Sequence, residues 1–187
     1  MIDFNKLTEK ELSRVGIAFE TVEEAMLFSA FVTEELEVKI GESISTGISE
    51  SLLQEFDSIT DEKESVKWLE KNRPDYREVV KREQYQMVWT MLCLREKIST
   101  ASSVPEPKGI EADLSDIGLS PYTLRYFKTH NLNTVKEVIK LSTFDDHPGL
   151  FKYYQTDTIV KIVDYILSDK GKKKRHRLHP LIDYFED

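Results

Sequence analysis

The densest run of chemically competent side chains is KGKKKRHR, where Lys170, Lys172, Lys173, Lys174, Arg175 and Arg177 place six cations within eight residues. Such a run neutralises phosphates of DNA or RNA, and affinity gained that way falls steeply with salt. The same residues also suit a solvated helix end, or pairing with the acidic first half of the chain. His176 and His179 stand three apart beside it. Their neighbours are cations and no carboxylate joins them before Asp183, so a metal site is not expected.

Other chemistry is thin. No glycine-rich phosphate loop, nucleophile elbow or His-Glu helix motif occurs, and no catalytic residue is assigned. Cys93, the only cysteine, lies in the apolar run MVWTMLCL and reads as a core thiol. A single cysteine permits no internal disulfide and suits a reducing compartment. MIDFNKLTEKELSR carries charges where a secretory signal needs an apolar stretch, so a cytoplasmic, non-enzymatic protein without cofactors is expected.

The elements that would hold these residues are helical. With 40% hydrophobic and 32% charged residues, 7 Gly and 6 Pro, the composition favours an all-α fold. Up to Lys108 the chain has 14 Lys and Arg against 22 Asp and Glu, and beyond it 12 against 12. The net charge of -8 therefore belongs to the first half, which is unsuited to a nucleic-acid backbone.

Thr8 with Glu11 and Thr21 with Glu24 read as capping boxes, and Gly16 as the end of a first short helix. From Val22 to about Gly47, Met26, Phe28, Phe31, Val32, Leu36, Ile40 and Ile44 recur at helical spacing. Whether one chain hides that whole apolar set is left open by the sequence. Shorter helices follow over 49–59 and 61–71. A long one begins at Pro74 and runs to about Ile98, apolar on most sides and therefore central in a bundle. STASSVPEPKG interrupts the periodicity. The expected organisation is an acidic helical bundle over 1–98, a linker over 99–110, a small helical domain over 111–168 and a basic tail over 169–187.

Within the small domain IGLSPYTLRYF, HNLNTV, KEVIKL and TIVKIVDYI follow in order. Ser120 caps a helix begun by Pro121, Asn131 and Asn133 suit the following turn, and Thr134 with Glu137 forms a further capping box. In this order residues 111–167 resemble the C-terminal domain of the bacterial RNA polymerase alpha subunit, a helix-hairpin-helix fold whose rhythm SAM-like domains share. The resemblance implies a place near RNA polymerase or another nucleic-acid-associated complex. Its DNA-contacting positions are altered. Tyr122 stands where the family has a minor-groove arginine, Arg125 stands for an asparagine, Gln155 for the hairpin glycine, and Asp157 and Thr158 for the lysine and serine after it. An aspartate repels phosphate, so protein contacts are expected to outweigh DNA contacts.

Candidate nucleic-acid or anion-binding residues are thus Arg125 and Lys128 with Lys170, Lys172, Lys173, Lys174, Arg175 and Arg177. Candidate partner contacts are Tyr122, Tyr153 and Tyr154. The expected function is an adaptor or regulator of the bacterial transcription or nucleic-acid machinery. The alternative is an interaction module of the inhibitor or immunity type, whose acidic helices cover a basic partner.

Overall fold

A computed structural model describes residues 9–104, 106–107, 109–143 and 155–167. These form an all-α fold, and no strand occurs among them. The helices are α1 (Glu9–Arg14), α2 (Val22–Ser45), α3 (Glu50–Asp57), α4 (Glu62–Asn72), α5 (Tyr76–Ile98), α6 (Pro121–Thr129), α7 (Val135–Thr143) and α8 (Gln155–Leu167), with a 3-10 turn at Leu114–Ile117.

Local chemistry sets most of the boundaries. Gly16 adopts φ +74° after α1. Its amide bonds to the Ser13 carbonyl at 3.1 Å and the Ile17 amide to the Leu12 carbonyl at 2.9 Å. This Schellman closure brings Leu12 and Ile17, both buried, together beneath the turn. Thr21 and Glu24 make the expected capping box at the start of α2. Thr8 lies outside the described residues. After α6 the closure repeats with asparagine in glycine's role: Asn131 has φ +58°, its amide bonds to the Lys128 carbonyl at 3.1 Å, and the Leu132 amide to Phe127 at 3.0 Å.

The start of α5 differs from expectation. Pro74 lies in a turn rather than at the first helical position, because the Tyr76 amide bonds to the Arg73 carbonyl at 2.9 Å. Arg73 Nε pairs with Asp75 at 3.0 Å and its Nη1 reaches the Thr46 carbonyl at 2.9 Å. The corner between α4 and α5 is therefore pinned to the end of α2, and the helix starts two residues later.

Helix α5 is the axis of the molecule, packing against α2, α7 and α8. It runs antiparallel to α2. Ser43 donates to Glu83 at 2.9 Å at one end of the pair, and Ser99 Oγ donates to the Ala18 carbonyl at 2.6 Å at the other. Tyr85, Met87, Val88, Trp89, Met91 and Leu92 are buried along it.

One hydrophobic cluster takes in Leu12 and Leu36 from the first half and Phe127, Val138 and Ile162 from the second. The core is continuous across residues 99–110. That segment is also held by its backbone, since the Thr100 and Ala101 amides both bond to the Ala18 carbonyl, at 3.2 and 3.3 Å. Further on, an antiparallel bridge joins Asp113 to Thr134, with the Lys136 amide on the Ile110 carbonyl at 2.7 Å.

Candidate protein-contact surface

The inner face of α2 follows from its sequence. Val32 and Leu36 are buried, with Phe28 and Ile40 packed against the same core and the Phe28 ring 5.1 Å from Phe19. These four recur every fourth residue and meet α5. A second apolar set lies about half a turn away: Leu27 is 67% exposed, Phe31 59% and Val38 55%, with Met26 and Val22 exposed at the N-terminal end. Large hydrophobes in contiguous exposure on one helix mark an interaction site more often than a solvated surface.

The question left open by the sequence, whether one chain hides the whole apolar set of this helix, is answered here: part of it stays exposed. Met26 and Phe31 point away from the core that Phe28, Val32, Leu36 and Ile40 enter. The available signal was the phase: 27, 31 and 38 share one side of a helix and 28, 32, 36 and 40 another. Spacing alone does not say which side is covered.

Charge frames the outer face. Helix α2 carries Glu23, Glu24, Glu34, Glu35, Glu37 and Glu42 against the single cation Lys39. Glu23, Glu34, Glu35, Glu37 and Glu42 are exposed. Glu24 is occupied by the cap, where it accepts from the Thr21 amide at 3.3 Å and from Thr100 Oγ1 at 3.0 Å. The surface combines apolar contact area with negative potential, which suits a segment bearing both hydrophobes and cations.

The residues singled out from sequence fall elsewhere. On α6, Arg125 and Lys128 line a shallow depression of about 490 Å³ with Pro121, Leu124 and Thr129. Tyr122 is 70% exposed on the first turn of the same helix. Ser120 caps that turn through the Thr123 amide at 3.1 Å, as the S-P sequence implies. The Ser115 amide, which donates to Asp113 at 2.8 Å, is the main cause that holds that carboxyl below its ordinary value, and the charge of Lys128 adds to it. Tyr153, Tyr154, Lys170, Lys172, Lys173, Lys174, Arg175 and Arg177 lie outside the described residues.

Two of the positions compared above with that family's hairpin are placed on α8. Thr158 is buried at 2% exposure, and Asp157 pairs with Lys161 at 3.0 Å.

A second, more polar pocket of about 360 Å³ lies between Gly16 and the end of α5, lined also by Arg95, Ser99 and Glu106. Its charges are already matched. Arg95 stands 3.6 Å from Glu106, and Lys136 stands 3.0 Å from the same carboxylate. The bond from Lys136 is the main cause that holds Glu106 below the usual carboxylate range. Among the described residues no group of three or more His, Cys, Asp or Glu is placed to hold a metal ion, and no helix is long and apolar enough to cross a membrane. Cys93 is half-buried against the core.

No curated protein matches the chain, and no solved structure does. Residues 12–90, which contain the whole of α2 and its outer face, are similar to a family described as Protein of unknown function (DUF5663).

Proposed function

We propose that the protein is a non-enzymatic, cytoplasmic adaptor that acts through protein contacts, with the outer face of α2 as its contact surface. The observation that carries this reading is the exposed set Leu27, Phe31 and Val38, flanked by the glutamates of the same helix. The partner it fits is a basic protein segment with apolar anchors, its cations steering the approach and its hydrophobes holding the complex. The resemblance of residues 111–167 to the alpha-subunit domain supports a place for this adaptor in bacterial transcription.

Photo-crosslinking tests the surface. With p-benzoylphenylalanine at position 27 or 31 of the full chain, the adaptor reading expects one recurrent protein adduct in cells. That adduct is absent with the same group at exposed position 62 on α4 and is lost on Phe31→Glu with the fold intact. The same adduct yield from 62 as from 27 and 31 would refute the surface.

A second reading rests on Arg125 and Lys128, which share the α6 depression. It expects weak, salt-sensitive binding of duplex DNA or single-stranded RNA. Fluorescence anisotropy at two salt concentrations, with the intact protein and with Arg125→Glu and Lys128→Glu together, decides it. Unchanged affinity in the double variant removes α6 from consideration.

A further inference from the structure

The exposed side of α2 has a period of its own. Leu27, Phe31, Glu34, Val38 and Gly41 stand alternately four and three residues apart, and all are exposed. Such spacing repeats every seven residues, the a and d pattern by which one helix packs along another. The opposite side, Phe28, Val32, Leu36 and Ile40, already belongs to the core. Val22 and Met26 lie off both lines. The helix therefore carries two seams, of which the described residues fill one.

Charge borders the open seam in the same register. With Leu27 at d, Glu23 and Glu37 fall at g and Glu35 and Glu42 at e, all four exposed. These are the positions whose charges choose the partner in a pair of helices. They share one sign, so a second copy of α2 would set glutamate against glutamate in either orientation, and like charges across an interface oppose association.

Two seam residues narrow the occupant further. Glu34 stands between Phe31 and Val38, where covering its carboxylate is costly unless a cation faces it. Gly41 is less favourable inside a helix than alanine. An added Cβ there would meet no atom within 4 Å, so packing within the chain does not ask for glycine. Close approach of a second backbone does. An extended segment would be held mainly by backbone hydrogen bonds at a sheet edge, and the middle of a helix has no backbone groups to give.

We propose that the outer face of α2 takes one amphipathic helix of another protein, seated along Leu27, Phe31, Glu34, Val38 and Gly41. That helix carries Lys or Arg at its own e and g positions and one cation in its seam facing Glu34. This rests on the adaptor reading of the surface and adds the form and register of what binds there.

Three synthetic peptides, each about three heptads long, test this against the full chain by fluorescence anisotropy. The first has Leu at a and d, Lys at e and g, and one Lys at its central d position. The second has Glu at e and g. The third is the first with its order scrambled so that no seam remains. The first is expected to bind about tenfold more tightly than either of the others, and Phe31→Glu to abolish its binding. Glu35→Lys with Glu37→Lys is expected to reverse the preference, so that the second peptide binds more tightly than the first. The altered chain must gain one peptide as it loses the other, so a failure to fold does not imitate the result.

Equal binding of the first and scrambled peptides, which marks general attraction of cations to an acidic chain, overturns the proposal. So does a preference that survives the charge exchange. A full chain that sediments as a dimer and becomes a monomer on Phe31→Glu also overturns it, since the occupant is then a second copy. Crosslinked adducts from 27 and 31 in cells, with no preference among the peptides, sink the helical partner and leave the adaptor reading standing. Absence of both removes the two together.

Discussion

The Tyr85 hydroxyl donates to Oδ1 of Asp164 across 2.6 Å, tying the central helix α5 to α8 between residues 79 apart in sequence. Burial pushes the Tyr85 hydroxyl well above its ordinary value, and the bond to Asp164 adds to the shift. Burial also pushes the Asp164 carboxyl above its ordinary 3.8, against the opposing pull of Tyr85 and Lys81.

A raised carboxyl binds its proton more tightly folded than unfolded, so its contribution to stability is present at low pH and lost as pH climbs above 3.8. Asp164→Asn removes that loss and keeps an oxygen for Tyr85. It is expected to raise stability at pH 7 and to flatten the pH dependence in urea unfolding. Tyr85→Phe takes away the donor and leaves the carboxylate half-buried without it, and is expected to destabilise by about 1–3 kcal/mol. Equal unfolding midpoints for wild type and Tyr85→Phe would show that the bond contributes nothing.

Gln84 is 2% exposed, and neither its Nε2 nor its Oε1 has a hydrogen-bond partner among the described residues. Desolvated amide groups of this kind oppose folding, and methionine fills a similar volume without them. Gln84→Met is expected to stabilise by about 1–2 kcal/mol, read as a rise in Tm. A lowered Tm would sink the assignment of Gln84 as a cost.

Ser99 fastens the chain after α5 to the turn before α2: its Oγ donates to the Ala18 carbonyl at 2.6 Å and accepts from the Ala18 amide at 3.3 Å. The carbonyl keeps the Thr100 and Ala101 amides if the hydroxyl is removed, whereas the Ala18 amide loses its partner. Ser99→Ala is therefore expected to cost about 1 kcal/mol. Hydrogen exchange at Ala18 should accelerate, and unaltered exchange there would contradict the arrangement.

The α3–α4 pair hangs on Trp68, buried with its ring 4.9 Å from Phe56 and its Nε1 donating to Glu55 at 3.0 Å. Helix α3 contributes no buried residue of its own. Truncating a buried tryptophan costs about 3–5 kcal/mol, and here the loss falls on one peripheral unit. Trp68→Ala is expected to raise amide exchange throughout α3 and α4 while α5 stays protected. Equal acceleration in α5 would mean that the unit is not separable.

Much of the helical framework was legible because its signals are local. Thr21 with Glu24, Ser120 with Pro121, and Thr134 with Glu137 each satisfy backbone donors within four residues, so their geometry follows from neighbours in the chain. The run MVWTMLCL likewise implied the central place of α5, since a helix apolar on most sides must be surrounded. Pro74 misled because the Arg73 side chain anchors to Thr46, a contact between residues 27 apart.

The sequence by itself determined the all-α class, the helix ends set by capping, and the acidity of the first half. The tertiary structure alone decided that Phe28, Val32, Leu36 and Ile40 face α5 while Leu27, Phe31 and Val38 face outward. It alone brought Tyr85 to Asp164 and joined the residues on both sides of 99–110 in one core. The physical reason is range. A cap is completed within one turn, whereas the burial of a helix face depends on which distant helix packs against it.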